Sequence, residues 1–389
     1  MTIERPTFIY DRLYDKIPFT DADLKLFQTK EITRLRQVSL SAVPPWTIPI
    51  GSCSSRAEHS IGVMHLASIV GQKEEFREIA FNLKCAALAH DIGSPPFSHL
   101  SERFLKKILG KSHEEFAEDV LDGSEFAKEA QRQGSDMDVV LRLINGNLKP
   151  YSDLLNGTID IDNLDNTIRY GLSAGLLNDK HYMPDKLAQA YTIYNGQIAL
   201  LPGYQSQLQG WEECRNVVYQ YIYSVYNLSS SAMIHRALDF AQREGELPRE
   251  YFSMTDYEAF NYLLTHCNPR TQAIMESAQT WRFYPAVVNI NTTEPSQKLS
   301  KVADNPDQRA IIADEIANSL GIAPENVCVY LGKTKGYRKI HLPILDEQNN
   351  DQEHQPISQQ TWVAQVYIHP DRLDKAKKAA NIFQELLEV

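Results

Sequence analysis

Apolar residues recur at helical spacing over most of the chain, and after Tyr284 the pattern gives way to short runs rich in β-branched residues. Leu24, Phe27, Ile32, Leu35 and Val38 predict short helices packed on something larger. Pro44, Pro45 and Pro49 break that pattern, and Gly51-Ser52 turns the chain. Ser55-Arg56-Ala57-Glu58 has the form of a capping box, so a helix is expected from there to about Val70. Residues 75–90 predict a second helix, ended by Gly93, Pro95 and Pro96. A third is expected from Pro96 or Phe97 to about Leu109, and Ser112-His113-Glu114-Glu115 opens a fourth. In residues 158–172, Ile161, Leu164, Ile168 and Leu172 make an apolar stripe, with Asp162, Asp165 and Arg169 on the other side. Asp165 and Arg169 stand four apart and can pair. Residues 186–280 continue the helical pattern, with a long helix expected over Gly210–Val225.

Strands are expected at Ala286–Ile290, Val327–Leu331, Ile340–Leu345 and Trp362–His369, followed by a helix at Asp371–Leu387. A polar stretch, Asp346–Gln360, separates the last two strands. The fold expected is mainly α: a helical body over residues 1–285 and a small C-terminal α+β lobe over 286–389. No flexible linker divides them, so they should pack together.

Composition narrows the function. In 389 residues, Lys+Arg 39 against Asp+Glu 50 gives 39 − 50 = −11. Overall charge therefore does not hold the chain to nucleic acid, although a local basic groove is compatible with it. No apolar run approaches the ~18 residues of a membrane helix. The first residues carry charges where a signal peptide has its apolar core, and the five scattered cysteines lack a CxxC pair. Both features predict a cytoplasmic protein with reduced thiols, not held to a membrane. Gly332-Lys333-Thr334 lacks the earlier glycine of a P-loop and is set between strands.

The chemistry lies in His and Asp residues at helix ends. His59 falls in a first turn, His90 and Asp91 close an Ala/Leu-rich helix, and Asp162 sits on the polar side of a later one. Adjacent residues in mid-helix point about 100° apart. At a terminus the backbone can turn so that both His90 and Asp91 reach one ion. Two imidazoles and two carboxylates suit a divalent metal, with Mn, Fe, Ni, Zn, Co and Mg all compatible.

These motifs resemble the HD-domain metallophosphohydrolases, and within them the deoxynucleoside triphosphate triphosphohydrolases (dGTPase-like). Residues Arg56–Gly62 are similar to R-x-E-H-S-x-G, His90–His99 to the HD-containing motif, and Ile161–Asp165 to the later D-x-x-D. The resemblance implies an HD body with motif residues 56–165, metal ligands His59, His90, Asp91 and Asp162, and attack of hydroxide on an α-phosphate. It implies catalytic roles for His99 and Glu102, three apart on one helix, and for His113 as a general acid. Arg56, Asn163, Asp165 and Arg169 would then contact substrate.

Some positions depart from the pattern. Ser94 stands where the vertebrate relative has histidine, Asn163 where some members have lysine, and Asn166 where an aromatic residue commonly packs on the sugar. The stretch Arg215–Tyr223 lacks the family's basic-aromatic run. The expected function is hydrolysis of a deoxynucleoside triphosphate to nucleoside and tripolyphosphate. The alternatives are another phosphorylated nucleotide, or a non-catalytic nucleotide- or nucleic-acid-binding regulatory or defence protein. Lys333, Lys335, Arg338 and Lys339 form a basic cluster that could take a nucleotide effector. The segment Trp211–Tyr226 is apolar almost all round, which predicts burial in the core or against a partner in a homo-oligomer.

Overall fold

The structure is a computed structural model that describes residues 7–48, 51–303, 305–348, 350–352, 354 and 358–389. Pro49, and residues 349, 353 and 355–357 of the polar stretch, lie outside the described residues. The molecule is mainly helical, with small sheets at its edges and a C-terminal lobe.

The caps fall where the side chains dictate. Ser55 Oγ accepts from Glu58 N at 3.2 Å and Glu58 Oε2 accepts from Ser55 N at 2.9 Å, opening the helix Arg56–Val70. Ser112 and Glu115 open His113–Leu121 in the same way. Asp160 accepts from Asn163 N at 2.7 Å and opens Ile161–Ser173. The second expected helix is a 3-10 segment, Glu74–Ile79, followed by the α-helix Ala80–Ala89. Arg56–Val70 packs between Ala80–Ala89 and Ile161–Ser173, around a core that includes Leu66, Val70, Leu83, Leu88, Leu164 and Ile168.

The third helix starts at His99, not at Pro96 or Phe97. Phe97 and Ser98 have φ of 58° and 49°, left-handed values that no helix can contain. Asp256 holds this turn: its Oδ1 accepts from Phe97 N at 2.9 Å and its Oδ2 from Ser39 N at 2.8 Å. The expected single helix Gly210–Val225 is two, Gln205–Ile222 and Val225–Arg243. Ser224 caps the second by accepting from Asn227 N at 3.4 Å.

In the lobe, Trp362–Ile368 is the central strand, antiparallel to Ala286–Thr292 on one side and Val327–Lys333 on the other. Helices Asp307–Leu320 and Ala376–Leu387 cover the sheet through Ile312, Ile316, Ala379 and Phe383. Tyr367 and Val363 point the other way, into the core built on Val225–Arg243. Ile340–Leu345 is not a strand. It crosses the helical body, where Pro343 O accepts from Leu200 N and Leu200 O from Leu345 N, both at 2.9 Å. Ile340 and Ile344 join the body's core. Four cysteines are buried and Cys53 is exposed, all of them free thiols. Among the described residues no helix is long and apolar enough to cross a membrane.

Gly93 shows how tightly the turn after Asp91 is packed. A Cβ there would lie 2.2 Å from His113 O and 2.6 Å from Ala117 N, both backbone atoms. Gly93→Ala should therefore cost ~1–3 kcal/mol of stability as overpacking. Urea denaturation measures it, and a midpoint equal to that of the parent would contradict this packing.

Candidate active site and metal centre

Three helix ends converge. His59 lies at the start of Arg56–Val70, His90 is the C-cap of Ala80–Ala89 with Asp91 next to it, and Asp162 is in the first turn of Ile161–Ser173. His59 Nε2 stands 2.9 Å from Asp162 Oδ1 and 3.9 Å from Asp91 Oδ2. His90 Nε2 stands 3.5 Å from Asp91 Oδ2 and 3.9 Å from Asp162 Oδ1. One ligand atom each from His59, His90 and Asp91 falls within 4.8 Å of the others.

The protons show what belongs between them. His90 Nδ1 donates to Ala87 O at 2.8 Å, which leaves Nε2 with a lone pair. That lone pair faces Asp91 Oδ2, and both atoms are buried with no hydrogen-bond partner. His59 Nδ1 donates to Asp165 Oδ1 at 2.8 Å, so its Nε2 lone pair faces Asp162 Oδ1. Buried acceptors facing one another repel unless a cation lies between them. Without one, His59 draws a proton. Burial lowers its pKa, but the hydrogen bonds to Asp162 and Asp165 and their charges raise it to about 9. His59, His90 and Asp91 form a site for a divalent metal, a hard or borderline ion by its donors.

A second layer holds these ligands. The Asp165 carboxylate also accepts from Arg169 Nε at 2.7 Å, Arg169 Nη2 at 2.9 Å and Tyr14 OH at 2.9 Å. Arg169 Nη1 reaches Asp11 at 2.9 Å. Such a carboxylate–histidine pair fixes the tautomer and orientation of a ligand. Gly62 makes room for it, since a Cβ there would stand 2.1 Å from Asp165 Oδ2. Asp91 Oδ1 is held by Arg56 Nη1 and by Ser94 Oγ at 3.0 Å, and Arg56 Nε donates to Ser98 Oγ at 3.0 Å. Burial alone would raise the Asp91 pKa, but Arg56 and the neighbouring histidines hold it well below the carboxylate range.

His59, His90, Asp91 and Asp162 all line a cavity of about 540 Å³. His99, Glu102 and His113 line its wall and share one carboxylate: Glu102 Oε1 lies 2.9 Å from His99 Nδ1 and 3.0 Å from His113 Nδ1. Burial would raise the Glu102 pKa, but the charge of His99 and the hydrogen bonds from both imidazoles hold it well below the usual range. Arg56 and Asn166 also line the cavity, and Asn166 Nδ2 donates to Asp162 Oδ1 at 2.9 Å.

Asn163, Asp165 and Arg169, expected at the substrate, are not among the lining residues and are taken up by internal partners. Asn163 is tied to Asp160 at 2.8 Å and to Arg338 Nη1 at 2.8 Å. The side of the helix that reads as polar thus faces the interior, because each of its charges finds a partner there. The basic cluster also divides. Arg338 is spent on Asn163 and on Gly157 O, while Lys335 lines the cavity. The apolar ring of Trp211–Tyr226 is explained in part by the same cavity, which Val218, Tyr219, Ile222 and Tyr223 line; Tyr226 is exposed. Arg103, Asn227, His235, Arg309 and Tyr330 line it as well. Sequence reasoning missed these five, since only tertiary packing brings them to the site.

Residues 56–170 match the family model described as HD domain. These residues are similar to that family. Two curated relatives match part of the chain. An uncharacterized protein of Methanocaldococcus jannaschii is 28% identical over 168 residues, 43% of this chain and 34% of its own length. A deoxynucleoside triphosphate triphosphohydrolase SAMHD1 homolog of Dictyostelium discoideum is 33% identical over 111 residues, 26% of this chain and 21% of its own length. The match therefore spans about a third or less of either relative. Two crystal structures share the fold over nearly the whole chain. A hypothetical protein from Aquifex aeolicus superposes with a TM-score of 0.73 at 18% identity, covering 96% of this chain and 99% of that one. A phosphohydrolase from Bacteroides thetaiotaomicron gives 0.69 at 15% identity, covering 93% and 99%. The folds of the helical body and of the lobe thus recur together in both.

Metal content tests the centre. His90→Ala and Asp91→Ala should abolish divalent-metal retention in elemental analysis. Asp165→Asn, which loosens His59 without removing a ligand, should weaken affinity ~10–100-fold. Unchanged metal in His90→Ala and Asp91→Ala would remove the assignment.

Proposed function

We propose that the protein is a metal-dependent phosphohydrolase acting on a nucleotide, with a deoxynucleoside triphosphate as the leading substrate. One observation carries the reading: the HD ligand cluster opens directly onto a cavity whose wall presents His99, Glu102 and His113 as one hydrogen-bonded group. The match to the Dictyostelium triphosphohydrolase supports the choice of substrate.

His59, His90, Asp91 and Asp162 would hold the metal. Bound there, a divalent ion supplies polarisation of a phosphoryl oxygen and makes a nearby water more acidic. Glu102 fixes the protonation of both imidazoles, since one carboxylate oxygen meets Nδ1 of each. His99, more than half exposed, faces the cavity and can take a proton from the attacking water. His113 is the proton donor to the leaving group. Burial lowers its pKa, but the hydrogen bond and charge of Glu102 raise it above the ordinary imidazole value, so it stays protonated to higher pH. Arg56 anchors Asp91 and, as a residue lining the cavity, would contribute a guanidinium to a phosphate oxygen.

A second reading, another phosphorylated nucleotide, is favoured by Asn166. Its amide is tied to Asp162, leaving no aromatic platform at that position. Binding without turnover is disfavoured by the intact ligand set. The proposal includes a homo-oligomer with a nucleotide effector near Lys333 and Lys335, and sedimentation with and without nucleotide tests it. A monomer in both states removes that part.

A metal-supplemented nucleotide screen reading both tripolyphosphate and nucleoside is the principal test. Release of both products supports the leading substrate. Orthophosphate alone selects another class, and tight binding without turnover under every metal refutes the enzyme reading. His113→Gln should lower kcat ~10²–10⁴-fold. The parent should lose activity as pH rises through the raised His113 pKa, and the variant should lack that alkaline limb in its kcat profile.

A further inference from the structure

The chain that leaves the lobe strand Val327–Lys333 crosses the helical body and is bonded to the turn before Asp162. Arg338 Nη2 donates to Gly157 O at 2.8 Å, and His341 N donates to Thr158 Oγ1 at 3.0 Å. Arg338 Nη1 donates to Asn163 Oδ1 at 2.8 Å, with Arg215 Nη1 further off at 3.5 Å. Arg215 instead holds the backbone of the crossing. It donates to Lys335 O and Gly336 O, and its guanidinium lies over the Tyr219 ring at 4.5 Å. The crossing is thus fixed on one side to the helix Gln205–Ile222 and on the other to the start of Ile161–Ser173.

These bonds complete the cap of Ile161–Ser173. Asp160, buried at 2% exposure, accepts on Oδ1 from Asn163 N at 2.7 Å and from Asn163 Nδ2 at 2.8 Å. Donating through Nδ2 sets the orientation of the Asn163 amide, and its Oδ1 is the atom that Arg338 meets. Carboxyl, amide and guanidinium form one line of hydrogen bonds from the helix N-terminus to the lobe. Asn163 is itself buried, at 9% exposure. Loss of the guanidinium leaves Asn163 Oδ1 and Gly157 O short of a donor where little water can replace it.

Asp162 sits between the two members of that cap, Asp160 and Asn163. Its Oδ1 stands 2.9 Å from His59 Nε2, yet its side chain is 27% exposed, against 1% for His59 and 5% for Asp91. Packing around the side chain therefore fixes it less than the place of the helix end does. We propose that Arg338 is a positioning residue of the metal centre: through Asn163 and Asp160 it sets where Asp162 stands opposite His59. This rests on the reading of Asp162 as a metal ligand, and not on substrate or turnover. The lobe then contributes to metal affinity without supplying a ligand.

Titration of the metal-free protein with cobalt(II), read by calorimetry and by the visible absorption of the bound ion, tests this without a substrate. Arg338→Gln should weaken affinity about 10-fold and alter the visible band, because one ligand has moved. Arg338→Lys keeps a cation and a donor and should recover part of the loss. Asn163→Ala cuts the same line from its other side and should cost about as much, and the double variant should lose no more than either single one. Arg243→Ala is the control. It breaks a different contact between body and lobe, to Asp239 at 2.9 Å and Asp314 at 2.7 Å, and should bind cobalt as the parent does. Parental affinity and spectrum in Arg338→Gln, additive losses in the double variant, or an equal loss in Arg243→Ala would overturn the proposal. If circular dichroism shows that Arg338→Gln does not fold, Asn163→Ala against Arg243→Ala decides on the same terms. A parent that binds no cobalt overturns the proposal together with the metal centre. Because binding is read directly, each outcome holds whether or not the parent hydrolyses a nucleotide.

Discussion

The centre of this protein depends on lone pairs forced to face one another in a buried space. His90 Nε2 and Asp91 Oδ2 have no partner of their own, and His59 Nε2 is aimed at Asp162. That arrangement is unfavourable in isolation and becomes favourable only around a cation. The surrounding structure keeps the side chains from escaping. Asp165, Arg169, Tyr14 and Asp11 clamp His59 from behind, and Arg56 and Ser94 clamp Asp91. Segments far apart in sequence thus serve one electrostatic requirement.

Local rules accounted for much of the helical body. The capping boxes at Ser55 and Ser112 involve only neighbouring residues, so their signatures were readable and the helices begin there. The metal-ligand candidates were readable because they sit at helix ends within short motifs. Where partners come from distant sequence, the reading failed. Phe97 and Ser98 adopt left-handed backbone that Asp256 secures from 159 residues away in the case of Phe97. Asp165 and Arg169 were expected to contact substrate, yet they are interior because His59, Tyr14 and Asp11 supply further partners beside their own pairing. Ile340–Leu345 has strand-like composition, but its apolar residues are claimed by the body core and not by the lobe sheet.

The lobe is more than a cover on the body. Arg338 reaches Asn163, one residue past Asp162 on the same helix, and Arg215 accepts this segment by donating to Lys335 O and Gly336 O. Tyr223 OH bridges Lys333 O at 3.2 Å and Lys335 N at 3.0 Å. The segment after Val327–Lys333 is therefore bonded both to the helix that carries Asp162 and to the helix that walls the cavity. A displacement of the lobe would be felt at the cavity through these contacts.

Asp256 gives the architecture a temporal order. Its carboxylate pins the turn between His90-Asp91 and the helix that carries His99 and Glu102, and it also ties down Ser39. A ribosome emits the chain from its N-terminus, and folding begins before synthesis ends. The segments bearing His59, His90, Asp91 and Asp162 all emerge before Asp256 does. A nascent chain can therefore gather His59, His90 and Asp91 early, while the carboxylate that receives both Phe97 N and Ser39 N arrives only when a residue about a hundred positions beyond Asp162 has left the exit tunnel.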